Sequence, residues 1–247
     1  MNEWSRVRLC SFAEGPFCPR GPFFEQEARS MKVADWVKVF RLADLDPSFV
    51  AAHEAFISRN KRGFGYWIWK PQVVLETMRL SESNDLIVYM DVGFELNPAG
   101  RGRFLEYFKM AACGPHRQLA FSNTQTEYRW TKQDLAARLD LANDSLPMLS
   151  TQLAAGFFIL LNTDANQSLV QRWADLAVED NYRFSDDSPS IKKNHPEFVE
   201  HRHDASIFSL LRKKAGAHVT HYEVQAYDHH FSKLKDVLPA WASRKRS

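Results

Sequence analysis

Asp85-Leu86-Ile87-Val88-Tyr89-Met90-Asp91-Val92-Gly93 is the stretch on which the fold turns. Leu86 to Met90 are apolar without a break, and Asn84-Asp85 and Asp91-Val92-Gly93 bound them with polar and turn residues. A strand with one wet face would alternate. A continuous run is the pattern of a strand covered on both faces, as in sheets with helices on either side. Ala154 to Leu161 is a second such run. Working outward, Val7 to Phe12, Trp36 to Arg41, Gln118 to Ser122 and His218 to Tyr227 also read as strands. Helices fall between them. Asp46 as N-cap and Pro47 at the first position open one through about Ser58. Pro71 opens another, Gln72 to Leu80. Arg103 to Ala112, Gln167 to Val178 and Ala205 to Lys214 follow, as does Thr131 to Leu141, where Thr131 and Asp134 resemble a capping box. Strands separated by helices predict an α/β domain whose sheet is flanked by helices. Asn181 to Glu200, rich in Ser, Asp, Asn and Pro, reads as a long loop of the kind that forms lids or binding loops. No repeat, low-complexity segment or clean domain boundary interrupts the 247 residues.

Composition narrows the class. The chain is 45% hydrophobic, 25% charged and 13% aromatic, so it can fill a core and still spare rings for a pocket. A formal net charge of +2 gives no nucleic-acid footprint. Cys10, Cys18 and Cys113 form no CxxC pair, which points away from a disulfide framework or zinc knuckle and toward free thiols in a reducing cytosol. No stretch approaches the ~20 apolar residues of a membrane span. The expected location is cytoplasmic. The basic tail Ser243-Arg244-Lys245-Arg246-Ser247 is either a solvated terminus or a weak contact with an acidic inner-membrane face.

Three segments can carry chemistry. In open α/β sheets ligands bind beyond the carboxyl ends of the strands, which is where Asp91-Val92-Gly93 falls. A carboxylate there is rigid and partly desolvated. It can hold a divalent cation or a sugar hydroxyl, or simply cap the next turn. Arg62-Gly63-Phe64-Gly65-Tyr66-Trp67-Ile68-Trp69-Lys70-Pro71 puts glycines, large rings and two cations before a helix, as a phosphate and base site would, though the rings also suit a core plug. His201-Arg202-His203-Asp204-Ala205-Ser206 precedes an apolar helix. Asp204 suits an N-cap there, and the HxH also suggests metal ligation. The cluster Asp228-His229-His230, with His218 and His221 upstream, reads as surface histidines more readily than as a metal site. No Walker loop, GxSxG elbow or HExxH helix is present.

Taken in order, Arg62 to Pro71, Asp85 to Gly93, Trp130-Thr131-Lys132-Gln133-Asp134-Leu135 and His201 to Leu211 resemble a group of mostly bacterial glycosyltransferases. From Arg8 to about Tyr222 the chain is similar to nucleotide-diphospho-sugar transferases of the GT-A fold. The resemblance implies one GT-A-like α/β domain with a mostly parallel central sheet. Its nucleotide-binding part would be roughly residues 1–100 and its acceptor and catalytic part roughly 101–247. It implies transfer of a sugar from a nucleotide-sugar donor to a glycan, lipid-linked or other hydroxyl acceptor, in bacterial polysaccharide or glycoconjugate synthesis. In GT-A enzymes a D-x-D motif holds Mn²⁺ or Mg²⁺ on the donor diphosphate. Asp91 falls at its first position, and the third is Gly93. Donor contacts then fall to Ser11, Arg62, Gly65, Tyr66, Trp67, Lys70, Asp91 and Gly93, with Asp91 as the metal ligand. Asp204, supported by His203, falls at the reacting sugar. His203-Asp204-Ala205-Ser206 is similar to the His-Asp-Glu-Ser segment of some retaining galactosyl- and N-acetylgalactosaminyltransferases, with Ala205 where those carry Glu. Two alternatives stand beside this. One is a metal-dependent hydrolase or nucleotidyltransferase built on His201, His203 and Asp204. The other is a non-catalytic nucleotide-sugar binder.

Overall fold

A computed structural model describes residues 3–221, 223–224, 237–244 and 246. The strands are β1 (Val7–Phe12), β2 (Trp36–Phe40), β3 (Leu86–Met90), β4 (Glu95–Leu96), β5 (Gln118–Thr126), β6 (Thr151–Leu153), β7 (Phe157–Leu161), β8 (His218–His221) and β9 (Ala240–Trp241). The helical segments are α1 (Arg20–Ser30), α2 (Pro47–Arg59), α3 (Gly63–Tyr66), α4 (Lys70–Arg79), α5 (Arg101–Cys113), α6 (Glu127–Trp130), α7 (Gln133–Arg138), α8 (Leu146–Leu149), α9 (Asp164–Tyr182) and α10 (Asp204–Ala215).

Seven strands form one sheet. β1 pairs β2 and β3 in parallel, and β7 runs antiparallel to both β3 and β5. Ser122 of β5 faces Leu153 of β6 on one edge and His221 of β8, in parallel, on the other. Five of the seven strands therefore point the same way, and the sheet is mixed but mostly parallel. β4 and β9 form a separate antiparallel ribbon.

The run Leu86 to Met90 is buried throughout, and its residues divide by parity. Leu86, Val88 and Met90 pack with Phe24 of α1 and with Phe104, Tyr107 and Phe108 of α5. Ile87 and Tyr89 face the opposite layer, with Val73 and Val74 of α4, Trp173 of α9 and Phe208 of α10. Two covered faces explain the missing alternation. They also set the direction of the next odd residue, Asp91, which follows Tyr89 onto the side of α4 and α10.

Several sequence expectations need correction. Ala154 to Leu161 is not one strand: Ala154, Ala155 and Gly156 interrupt it between β6 and β7. The Thr131–Asp134 capping box does not form. Thr131 donates to Glu127 (2.7 Å), and Asp134 accepts from the Ile191 and Lys192 N–H groups (2.9 and 2.7 Å), so both side chains serve tertiary contacts. The helix there is only Gln133–Arg138. Asp46 does cap α2, accepting from Ser48 and Phe49 N–H (2.8 and 3.1 Å). The late strand stops at His221; Tyr222 and 225–227 lie outside the described residues, as does Asp228-His229-His230. Helix α1 was hidden from sequence by Pro19, Gly21 and Pro22 in and before its first turn, where helices tolerate them.

Candidate active site

A cleft of about 800 Å³ opens where β1, β3 and β5 end, the carboxyl edge of the sheet. Phe12 and Asp91 come from the ends of β1 and β3, and Asn123 to Gln125 from the far half of β5. Ala154 to Gly156 lie at the same edge because β6 and β7 run the other way. The interruption between those strands therefore has a position and a use. Gly156 O accepts from Asp91 N–H (2.8 Å), and Ala155 O lies 3.4 Å from Lys70 Nζ.

At the floor, Lys70 Nζ sits 2.8 Å from Asp204 Oδ2 and 3.3 Å from Asp91 Oδ1. Lys70 is 3% exposed and Asp204 5%, whereas the Asp91 side chain is 41% exposed to the cleft. The Tyr89 hydroxyl donates to Asp91 Oδ1 (2.8 Å) from two residues back on the same strand face. Burial works to discharge Lys70, but Asp204 and Asp91 outweigh it and hold its ammonium above the usual lysine range. Two carboxylates share one ammonium, so the trio carries a net −1. Burial, opposed by Lys70 and reinforced by Asp91, raises the Asp204 carboxyl to about 6. Burial and then Asp91 hold Tyr89 far up, so it remains a neutral donor.

The Gly-aromatic segment brings Lys70 in through a left-handed turn. Gly63, Phe64, Gly65, Tyr66 and Trp67 all have positive φ, between 52° and 83°. Phe64, Tyr66 and Trp67 pay the steric penalty of that region, about 1–2 kcal/mol each. Glycine is required at position 63, where a Cβ would meet the Trp67 ring at 2.3 Å, and at position 65, where it would meet Ile57 at 2.9 Å. Trp69 Nε1 ties the turn by donating to Gly63 O (2.8 Å), and the Trp69 ring stacks on Phe12 at 3.7 Å.

The expected site residues separate into two groups. Arg62, Trp67, Lys70, Asp91, Gly93, His203 and Asp204 line the cleft. Ser11, Gly65 and Tyr66 do not: Ser11 is fully buried in β1, Gly65 packs under α2, and Tyr66 lies beside the His203 ring (4.9 Å). Lys70, expected at phosphate, is instead enclosed between two carboxylates. Asp204 is the first residue of α10 with its carboxylate on Lys70, and the N-cap position belongs to His203.

The His-x-His pair does not offer two metal ligands. His201 Nδ1 accepts from Lys132 N–H (3.2 Å) and its Nε2 lies 2.8 Å from Phe184 O, so both ring nitrogens are engaged. His203 Nδ1 lies 2.7 Å from Ser185 O, which fixes it as the protonated nitrogen, and its ring stacks on Trp67. Burial pulls His203 down to about 4 and His201 well below the ordinary range, so both are neutral near pH 7. A Mn²⁺ or Mg²⁺ site fits poorly too. Position 93 has no side chain, and one oxygen of Asp204 is held on Lys70. Glu14, the other carboxylate besides Asp91 that lines the cleft among the described residues, is engaged by the Gly15 and Leu42 N–H groups and by Arg41. Among the described residues no three His, Cys, Asp or Glu side chains stand together as ligands.

No protein-family model matches the sequence, and no curated protein does. Solved structures do match. The apo crystal structure of mouse xyloside xylosyltransferase 1 aligns over 96% of this chain and 97% of its own, at 13% identity and a TM-score of 0.50. A glycosyltransferase involved in glycosylating the major capsid of PBCV-1 aligns over 96% and 93%, at 9% identity and a TM-score of 0.51. The chain shares the fold of these two glycosyltransferases. With that fold, the strand-end cleft is its expected ligand site.

Sequence reasoning missed Tyr89, which is buried beneath the cleft and which period two places under Asp91, and several residues that line the cleft. Arg202 was inside a quoted motif; its guanidinium lies 4.2 Å over the Trp130 ring and 3.3 Å from Glu200. Arg244 and Arg246, read as a solvated or membrane-facing tail, line the cleft, and no local signal shows that. Among the described residues no helix is long and apolar enough to cross a membrane.

Proposed function

We propose that the protein is a nucleotide-sugar-dependent glycosyltransferase of the GT-A type, acting on a hydroxyl acceptor such as a glycan or lipid-linked sugar in bacterial polysaccharide or glycoconjugate synthesis, on the cytoplasmic side. The observation that carries this is Lys70 buried between Asp91 and Asp204 at the sheet edge. A rigid pair of carboxylates with net charge −1 suits a sugar whose anomeric carbon becomes positive as its leaving group departs. Phe12, Phe17 and Trp67 offer apolar faces to the base or sugar, and Asn123, Thr124 and Gln125 offer amides and a hydroxyl to a polyhydroxyl acceptor. In this reading residues up to about 100 meet the donor, and later ones meet the acceptor and the reacting centre.

The bond from the anomeric carbon to the diphosphate oxygen breaks with its electron pair leaving on the diphosphate. The acceptor oxygen bonds to that carbon, and the acceptor proton passes to Asp204. A carboxylate near 6 is ionised at neutral pH and still basic enough to take a proton in the transition state. Lys70 holds both carboxylates in place, Tyr89 fixes the rotamer of Asp91, and Asp91 accepts from a donor-sugar hydroxyl. His203, neutral and hydrogen-bonded to Ser185 O, positions Trp67 and the start of α10. No step requires a metal ion. The direct test is release of nucleoside diphosphate from a panel of nucleotide sugars by the wild type, Asp91→Asn and Asp204→Asn. The expected result is turnover by the wild type and at least about 100-fold less in either variant. Full activity in both would remove the assignment.

A further inference from the structure

The C-terminal return is anchored onto the strand-end loop after Asp91. β9 pairs with β4, with Trp241 opposite Glu95, and the Trp241 indole N–H donates to the Glu95 carboxylate. Asn97 holds the segment twice, with its N–H on Pro239 O (2.8 Å) and its side-chain amide on Leu238 O (2.9 Å). Leu238 and Ala240 are buried, and Gly100 lies so close that a Cβ there would sit 2.1 Å from the Leu238 carbonyl carbon. Ser243 Oγ then donates to Gly93 O (3.1 Å). Where a D-x-D motif carries its second carboxylate, this chain accepts a hydrogen bond from its own tail.

That seat delivers two guanidinium groups to a cleft already rich in cations. Arg244 and Arg246 line it, and Arg246 lies 5.5 Å over the Phe17 ring. Arg62 and Arg202 stand there with them, but those two are matched by Asp187 and Glu200. Among the described residues neither Arg244 nor Arg246 has a carboxylate partner. Convergence of like charges is unfavourable without an anion: Arg202 is held below the usual arginine range by burial, with Arg62 and Arg244 adding to it against Glu200. A pair of guanidinium forks without a carboxylate partner among the described residues matches phosphate oxygens.

We propose that the C-terminal return is a phosphate clamp, in which Arg244 and Arg246 bind the diphosphate of the nucleotide-sugar donor and supply the countercharge that Gly93 leaves no second carboxylate to recruit through a metal ion. This rests on the glycosyl-transfer reading and assigns its leaving-group site. It replaces the membrane role for the basic tail.

The test uses the full chain in EDTA throughout. Calorimetric titration with UDP, GDP, ADP and dTDP identifies the diphosphate that the wild type binds. Arg244→Ala/Arg246→Ala should bind it about 10-fold or more weakly, as expected for loss of charge-assisted hydrogen bonds. Arg244→Lys/Arg246→Lys should fall between the two, and the wild-type affinity should drop more steeply with salt than that of the alanine variant. The Tm without ligand should stay within about 1 °C, because surface substitutions away from packed features change stability little. Equal affinity in the wild type and the alanine variant overturns the clamp and leaves the donor reading standing. The same holds if the alanine variant loses only its binding to vesicles of anionic phospholipid. A wild type that binds none of the four diphosphates removes the donor reading and the clamp with it.

Discussion

Lys70 is the residue on which the site depends. Removing one member of a buried ion-paired set strands the others, at about 3–5 kcal/mol. Lys70→Ala should therefore lower stability by that amount in denaturant melts, while Asp204→Asn, which leaves Lys70 paired with Asp91, should cost far less and slow transfer at least about 100-fold. The carboxyl of Asp204 at about 6 also predicts a pH profile: kcat/KM should fall on the acid side with an apparent pKa near 6. A flat profile from pH 5 to 7 would refute Asp204 as the base. His203 sets an opposite signature in stability. Its folded value, about 4, lies below the unfolded 6.5, so the unfolded state takes up the proton first and stability is lost as pH falls from 6.5 through 4. The raised value of Asp204 works the other way below pH 6, and His201 adds to the loss. His203→Asn, which keeps a donor toward Ser185 O and tolerates the positive φ of 53°, should flatten that acid-side slope in melts from pH 7 to 4.5. Each of Lys70, Asp91 and Asp204 was visible as a candidate in the sequence. Their meeting was not, because it depends on the register of α4 and α10 over one sheet face.

Among the elements, the left-handed turn Gly63–Tyr66 converts a sequence motif into geometry. In sequence its glycines, rings and cations resemble a phosphate and base site; in the structure the glycines reverse the chain and aim Lys70 inward. Gly65→Ala would place a Cβ at φ +83° against the backbone of Ile57, 3.0 Å away. The expected cost is about 2 kcal/mol or more, a Tm drop of roughly 4–8 °C, with a weaker site as a consequence. The loop after α9 has the composition of a lid or binding loop. It is tied down instead: Lys132 Nζ reaches Arg183 O, Asp186 and Ser188 within 3.2 Å, and its Phe184 and Ser185 carbonyls hold the two histidines. Polar composition announces a loop but not which backbone groups it lends to neighbours. The capping-box misreading has the same origin, since tertiary partners outbid a local one at Thr131 and Asp134.

Across the whole molecule, the two apolar runs made the sandwiched sheet legible, because covering both faces of a strand leaves no room for polar alternation. The strand directions were less so. The antiparallel entry of β6 and β7 depends on where long connections return, and apolar runs carry no arrow. The C-terminal return was invisible for a related reason: Arg244 and Arg246 acquire a function only through the pairing of β9 with β4, two residues each. The account joins these scales in one claim, that a sugar is transferred at the carboxylate pair held by Lys70. The most direct measurement is nucleoside diphosphate release from a panel of nucleotide sugars by the wild type and by Asp204→Asn, with binding of each donor followed in parallel. The account predicts that the wild type turns over a nucleotide sugar and that Asp204→Asn binds the same donor within a few-fold yet releases diphosphate at least about 100-fold more slowly. Turnover by Asp204→Asn at the wild-type rate, or no binding of any nucleotide sugar by the wild type, would contradict it.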